Sequence, residues 1–202
     1  MRKIQITLVM GVIITMLLQC YYINNDIEYI FKIIEPYSEF VENSIKLEYY
    51  VDWYVDNYVL KSIKDRYNIT YETSSCLEFN DGTVYGRCNI YNMNNIYKVS
   101  IELTNKSIDY KFSELKKQID KLKVDNAYNN KYYIYQKEKI KNEEKVQEII
   151  KKKIINKKTL KIHNGYVGKG QLIDGENVQY AVVNYNTGGY IIIGTPMIYT
   201  TY

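Results

Sequence analysis

The chain has 202 residues, 46% of them apolar and 25% charged, with a net charge of +4. That apolar share supplies a core and excludes wholesale disorder. The length allows one domain, or one domain with a stalk, beyond any anchor, and so excludes a multidomain array.

Residues 1–23 set the first expectation. Arg2 and Lys3 precede an apolar run through 4–18, and Gln19, Cys20, Tyr21, Tyr22 and Ile23 come after it. Two cations, an apolar stretch and an aromatic pair read as a membrane-insertion signal with its cytoplasmic side marked. Residues 4–23 have the roughly 20-residue length of an uncleaved anchor. Two readings compete with it. Leu17-Leu18-Gln19-Cys20 has the leucine and cysteine of a bacterial lipoprotein signal but not its small residue before the cysteine. A cleaved secretory signal needs small residues at its end, and these are missing. The expected localisation is single-pass in a cell membrane, with residues 24–202 forming an extracytoplasmic domain.

Within that domain, residues 24–69 have apolar positions mostly three and four apart: Ile27, Ile30, Ile34, Tyr37, Val41, Ile45, Val51, Val55, Val59 and Ile63. That spacing predicts a helical stalk. Pro36 predicts a break, leaving a short juxtamembrane helix and a longer one over 37–67. A four-residue repeat over 50–61 stacks Val51, Val55 and Val59 beside the tyrosines. Tyr50, Trp53, Tyr54 and Tyr58 then form a possible interaction surface, covered by this chain's own strands or by another subunit.

Residues 70–112 read as strands, with clear alternation over 97–104 and again over 108–112. Cys76 and Cys88 flank a hairpin turning at Asp81-Gly82, a pair that suits a type I′ turn. Strict two-residue pairing sets Cys76 opposite Arg87, and a bulge at Gly86 would set it opposite Cys88. In an exported chain this predicts a Cys76–Cys88 disulfide contributing about 3 kcal/mol.

Residues 113–158 read as helices. Ser113 suits a cap, with Leu115, Ile119 and Leu122 at helical spacing. A lysine-rich helix over 134–155 would use Ile140, Val146, Ile149, Ile150 and Ile154 as its apolar side. Strand signals return over 159–202, with turns at Asp174-Gly175 and 186–189 and a last edge strand over 197–202. The predicted fold is α+β: an N-terminal membrane helix and a long amphipathic helix packed on a small antiparallel sheet, with additional lysine-rich helices.

Charge divides along the chain. Residues 24–72 carry ten acids and five bases, whereas 111–161 carry sixteen lysines and seven acids. Lys151, Lys152, Lys153, Lys157, Lys158 and Lys161 form a run without an acid, a candidate patch for anionic wall polymers or lipid. No docking element for specific nucleic-acid recognition is present.

Catalytic and metal motifs are missing. His163 is the only histidine. A Cys-His pair would need a cysteine already assigned to the disulfide, and no Gly-x-Ser-x-Gly elbow occurs. Residues 165–170 lack the spacing of a phosphate loop. Asp52 and Asp56 alone make a weak cation site. The expectation is no catalytic residue, metal or cofactor.

A membrane-inserted N-terminus, an extended helix and a small sheet with a disulfide hairpin are together similar in outline to type IV pilin-like proteins, over about the first 112 residues. The leader departs from that pattern: Gly11 lies inside the apolar run and no acid precedes Asp26. The resemblance implies a structural component of a bacterial surface filament or secretion assembly. The alternative is a stand-alone anchored binding or sensor domain for a wall polymer, lipid or peptide. An exported enzyme is the third class, and the motif content weighs against it.

Overall fold

Alternation, not helical spacing, governs residues 38–51. In the computed structural model, which describes residues 25–52, 56–109 and 111–200, Ile45, Leu47, Tyr49 and Val51 are buried in series along one strand. Every second residue on one face is the strand period. The expected helix over 37–67 is therefore overturned. The positions three and four apart that suggested it, Val41 and Ile45 among them, belong to a strand whose β-branched and aromatic residues, Val41, Ile45, Tyr49, Tyr50 and Val51, fit a pleated surface better.

The elements run α1 (Asn25–Ile34), a 3-10 turn (Glu35–Tyr37), β1 (Ser38–Val51), α2 (Asp56–Lys64), β2 (Asn68–Glu72), β3 (Cys76–Asn80), β4 (Val84–Met93) and β5 (Ile96–Asn105). Then come α3 (Phe112–Asp120), β6 (Tyr128–Ile140), α4 (Glu143–Lys153), β7 (Ile155–Ile162), β8 (Gly165–Gln171), β9 (Asn177–Tyr185) and β10 (Gly188–Thr195). Strand makes up 53% of the structure and helix 23%, so a long helix on a small sheet is replaced by four short helices on one large sheet.

All ten strands form a single antiparallel sheet in the order β2-β3-β4-β5-β1-β6-β10-β9-β8-β7. The order of elements repeats: helix, strand, helix and four strands, twice. Exchanging β1–β5 with β6–β10 reverses the strand order onto itself, so the two halves are related by a pseudo-twofold axis through the β1/β6 pair. Ile45 faces Ile134 at that centre. One extra residue sits in β1 near Val41, four positions before Ile45. A matching one sits in β6 at Asn129–Asn130, about four before Ile134, where Asn129 has a left-handed φ of 53°. Paired bulges at matched distances are what a twofold demands, and they add local twist at both ends of the central pair.

Four helices cover one face. Ile27, Ile30, Phe31 and Ile34 of α1, Val59 and Ile63 of α2, Leu115 and Ile119 of α3, and Val146 and Ile150 of α4 join the strand residues in one main core. The helix spacings are three and four, as an apolar stripe requires. The first helix of each half crosses to the other: α1 packs on β10 and α4, whereas α3 packs on β1 and β5. Local signals end the helices. Asn142 accepts the Lys145 amide at 3.1 Å to cap α4, and Glu114 accepts the Lys111 amide at 3.0 Å at the start of α3. Pro36 does separate α1 from β1, within the 3-10 turn.

Three further expectations change. Residues 134–140 belong to β6, and the lysine-rich helix is confined to α4. Ile108, Asp109 and Lys111 lie outside any strand, and Phe112 opens α3. Residues 197–200 are not an edge strand; Ile198 and Tyr199 cover the other face of the second half, against Tyr135, Ala181, Val183 and Ile192.

The disulfide expectation also fails. Neither Cys76 nor Cys88 is in a disulfide. The hairpin turns at Gly82-Thr83, one residue later than expected, with the Asp81 amide donating to the Val84 carbonyl at 3.2 Å, so Asn80 faces Tyr85 and Cys76 faces Asn89. Asp81 builds that loop, its Oδ1 accepting the Thr83 amide at 2.9 Å and the Val84 amide at 2.7 Å. A two-residue change of register leaves each side chain on its original face. Cys88 therefore points into the core beside Leu77, its cross-strand partner, and Cys76 points the other way.

Among the described residues no helix is long and apolar enough to cross a membrane. The anchor predicted over 1–23 lies outside the described residues. The single-pass, outward-facing localisation and the membrane partnership consequently find no support.

Candidate functional site

Where α3 packs on β1, its counterpart α1 makes no comparable contact with β6. The space between them is a cleft of about 700 Å³, within the usual range of about 300–1,000 Å³ for small-molecule sites. Strands β1 and β6 supply its floor through Ser38, Phe40, Asn43, Gln136 and Glu138. Helix α1 and the segment entering α3 supply its walls, with Glu28, Phe31, Lys32, Ile108, Lys111 and Phe112.

The polar floor breaks the pseudo-twofold. Counting outward from Ile45 and Ile134, Gln136 corresponds to Leu47 and Glu138 to Tyr49. Leu47 and Tyr49 are fully buried in the core alongside Leu115 and Ile119. One half thus fills these positions with apolar bulk, and the other lines an open cleft with an amide and a carboxyl. The architecture itself does not require a carboxyl or an amide there, because its other half is built without either.

Glu138 is the deepest of these groups, only 3% exposed. Its carboxyl accepts a very short hydrogen bond from Ser38 Oγ and another from Gln136 Nε2 at 2.6 Å. Ser38 Oγ also lies 3.0 Å from the Ile34 carbonyl oxygen. Both partners of Glu138 are neutral, and among the described residues no lysine or arginine forms a salt bridge with it. Burial pushes its pKa above the ordinary carboxylate value, Ser38 and Gln136 pull it back in part, and the nearby Glu35 charge adds to the rise. Glu28 is also raised by burial, against the opposing fields of Lys111 and Lys32. Asn43 is held in place on the floor by Asn105, whose Nδ2 donates to Asn43 Oδ1 at 2.9 Å.

None of the described site residues expected from sequence lines this cleft. Tyr50 lies in β1, stacked 6.1 Å from Tyr128. Tyr58 lies in α2 and is 66% exposed, whereas Trp53 and Tyr54 fall outside the described residues. Tyr50 and Tyr58 therefore do not share one helix face. The lysine run splits as well. Lys151, Lys152 and Lys153 occupy the last turn of α4, where cations complement the helix dipole. Lys152 pairs with Glu148 at 2.7 Å, and Lys153 sits 5.1 Å over the Tyr29 ring. Lys157 Nζ donates to the Lys151 carbonyl at 2.7 Å. Lys158 and Lys161 stand on the free edge strand β7, where lysines discourage further strand pairing. Local roles thus account for most of the run. His163 is exposed in the β7–β8 turn.

The cleft residues escape a reading of the sequence because 134–155 has the pattern of a helix. The missed signal is that Tyr132, Ile134, Gln136, Glu138 and Ile140 share one face of a strand, so a carboxyl stands inside an otherwise apolar series. Among the described residues no group of three or more His, Cys, Asp or Glu side chains converges as a metal site. No known family model matches the chain, and neither a curated protein nor a solved structure matches it.

Proposed function

We propose that this protein is a stand-alone ligand-binding domain whose site is the cleft between α1 and the β1/β6 floor. One observation carries the reading: the same architectural position is packed with Leu47 and Tyr49 in one half and opened around Gln136 and Glu138 in the other. Buried polar groups weaken a core unless they are satisfied, so their presence in only one half is best accounted for by something that binds there. Binding is favoured over catalysis because the one hydroxyl–carboxylate contact in the cleft, Ser38 on Glu138, has only Gln136 and the Ile34 carbonyl beside it, with no histidine or cation among the described residues hydrogen-bonded to either group. The surface-assembly reading loses its architectural basis, because the long helix that carried it is a strand.

A fragment screen followed by amide and methyl chemical shifts tests this reading. Hits are expected to perturb Ile108, Phe112, Gln136 and Glu138 together. Hits scattered over the surface, or clustered on the opposite sheet face, overturn it.

A further inference from the structure

We infer that the cleft's ligand is a small zwitterion, an amino acid or a compound of equivalent chemistry, with its ammonium on Glu138 and its carboxylate toward Lys32, Lys111 and Lys141. This rests on the cleft being a binding site.

The floor selects the ammonium. An ionised carboxylate offers about four acceptor positions. Ser38 and Gln136 fill two of them on Glu138 and bring no positive charge. A primary ammonium supplies three donors and the missing cation together, and a charge-assisted hydrogen bond in a buried place is among the stronger polar contacts. Gln136 and Ser38 then act as orienting groups, holding the carboxyl toward the cleft. A divalent metal is disfavoured by the absence, among the described residues, of three converging ligands.

The mouth selects the carboxylate. Lys32, Lys111 and Lys141 line the cleft and are exposed, whereas Glu138 is buried. Three lysines at the entrance, interspersed with the exposed Glu35 and Glu39, give a carboxylate cationic partners, whereas Glu138 at the base is an anion alone, and this pairing matches a molecule carrying both signs at opposite ends. Phe31, Phe40 and Phe112 lie between and offer an apolar wall for the ligand's body. Glu28, Glu35 and Glu39 also line the cleft, so a ligand that is only anionic meets repulsion.

Three matched probes separate the possibilities on the full chain: phenylalanine, phenethylamine, which lacks the carboxylate, and hydrocinnamate, which lacks the ammonium. Titration calorimetry with cleft chemical shifts is expected to rank phenylalanine first, phenethylamine second and hydrocinnamate last. Glu138→Gln keeps an oxygen acceptor for Gln136, and its amide NH2 can donate to Ser38 Oγ, which has the Ile34 carbonyl to donate to; thermal unfolding checks that it folds. It is expected to weaken both amines by about tenfold or more and to leave hydrocinnamate unchanged. Lys111→Met is expected to shrink the advantage of phenylalanine over phenethylamine.

Hydrocinnamate binding best, Glu138→Gln leaving the amines unaffected, or no probe reaching the cleft would each overturn the inference. If fragments still perturb Ile108 and Gln136 in those cases, the binding-site reading survives its failure. If nothing does, both fall.

Discussion

Ile45 and Ile134 face each other across the central strand pair, each counting its own half outward from the same point. Both are buried, at 1% and 4% exposure. Truncating either one to alanine is expected to cost about 2–5 kcal/mol, the usual range for a buried isoleucine. Because the two are in contact register, the double variant should depart from the sum of the singles by at least about 0.5 kcal/mol. Urea unfolding of the four proteins measures this. Strict additivity would show that the halves do not meet there.

Glu138 makes stability depend on pH in a particular direction. Its folded-state pKa is raised, so the folded chain holds the proton more tightly than the unfolded chain. Its contribution is fully present below the ordinary carboxylate pKa and is lost as pH rises through the raised value. Glu138→Gln cannot titrate, so wild type minus variant isolates the effect from Glu28 and Glu102, which are also raised by burial. Urea midpoints measured across the acid-to-neutral range should show wild type losing ground to the variant as pH increases. A constant difference would refute the assignment.

The cysteines should differ in reactivity. Cys88 is buried and Cys76 is half-exposed. Without reductant, a thiol reagent should modify Cys76 in the native protein and reach Cys88 only after denaturant is added. Peptide mapping reads both sites. A linked Cys76–Cys88 peptide would contradict the observed register.

Lys158 stands directly opposite Lys169 on the β7–β8 pair. Like charges facing one another across strands are unfavourable. Lys158→Glu should therefore raise the melting temperature at low salt, with the gain shrinking as salt screens the pair. A loss of stability at low salt would mean that something else sets this pairing.

Much of the second half is legible in the sequence. The strands over 178–185 and 190–194 are readable because a dense apolar run sits between glycine-bearing turns, and Asp174-Gly175 marks its turn directly. The existence of α3 is readable from Leu115, Ile119 and Leu122, but Ser113 lies inside the helix and Lys111, two residues earlier, is its cap. Residues 38–51 mislead because tyrosine, valine and isoleucine are dense enough there to satisfy period four as well as period two. Only contact with β5 and β6 decides between them. The cleft is illegible for another reason. Glu138 stands out only relative to Tyr49, and that correspondence exists only after the pseudo-twofold is known. The hairpin register is set by Asp81 Oδ1 accepting the Thr83 and Val84 amides and moving the turn to Gly82-Thr83, a local choice that Asp-Gly alone does not announce.

The crossing of α1 and α3 has a consequence for cutting the chain. A fragment ending near residue 106 would keep α1 without the α4 and β10 it packs on, and would lose the α3 that covers β1 and β5. The remainder would be stripped in the mirror-image way. A lone half would have to borrow a helix from a second copy of itself, so neither piece is an independent folding unit, and what looks like two modules melts as one.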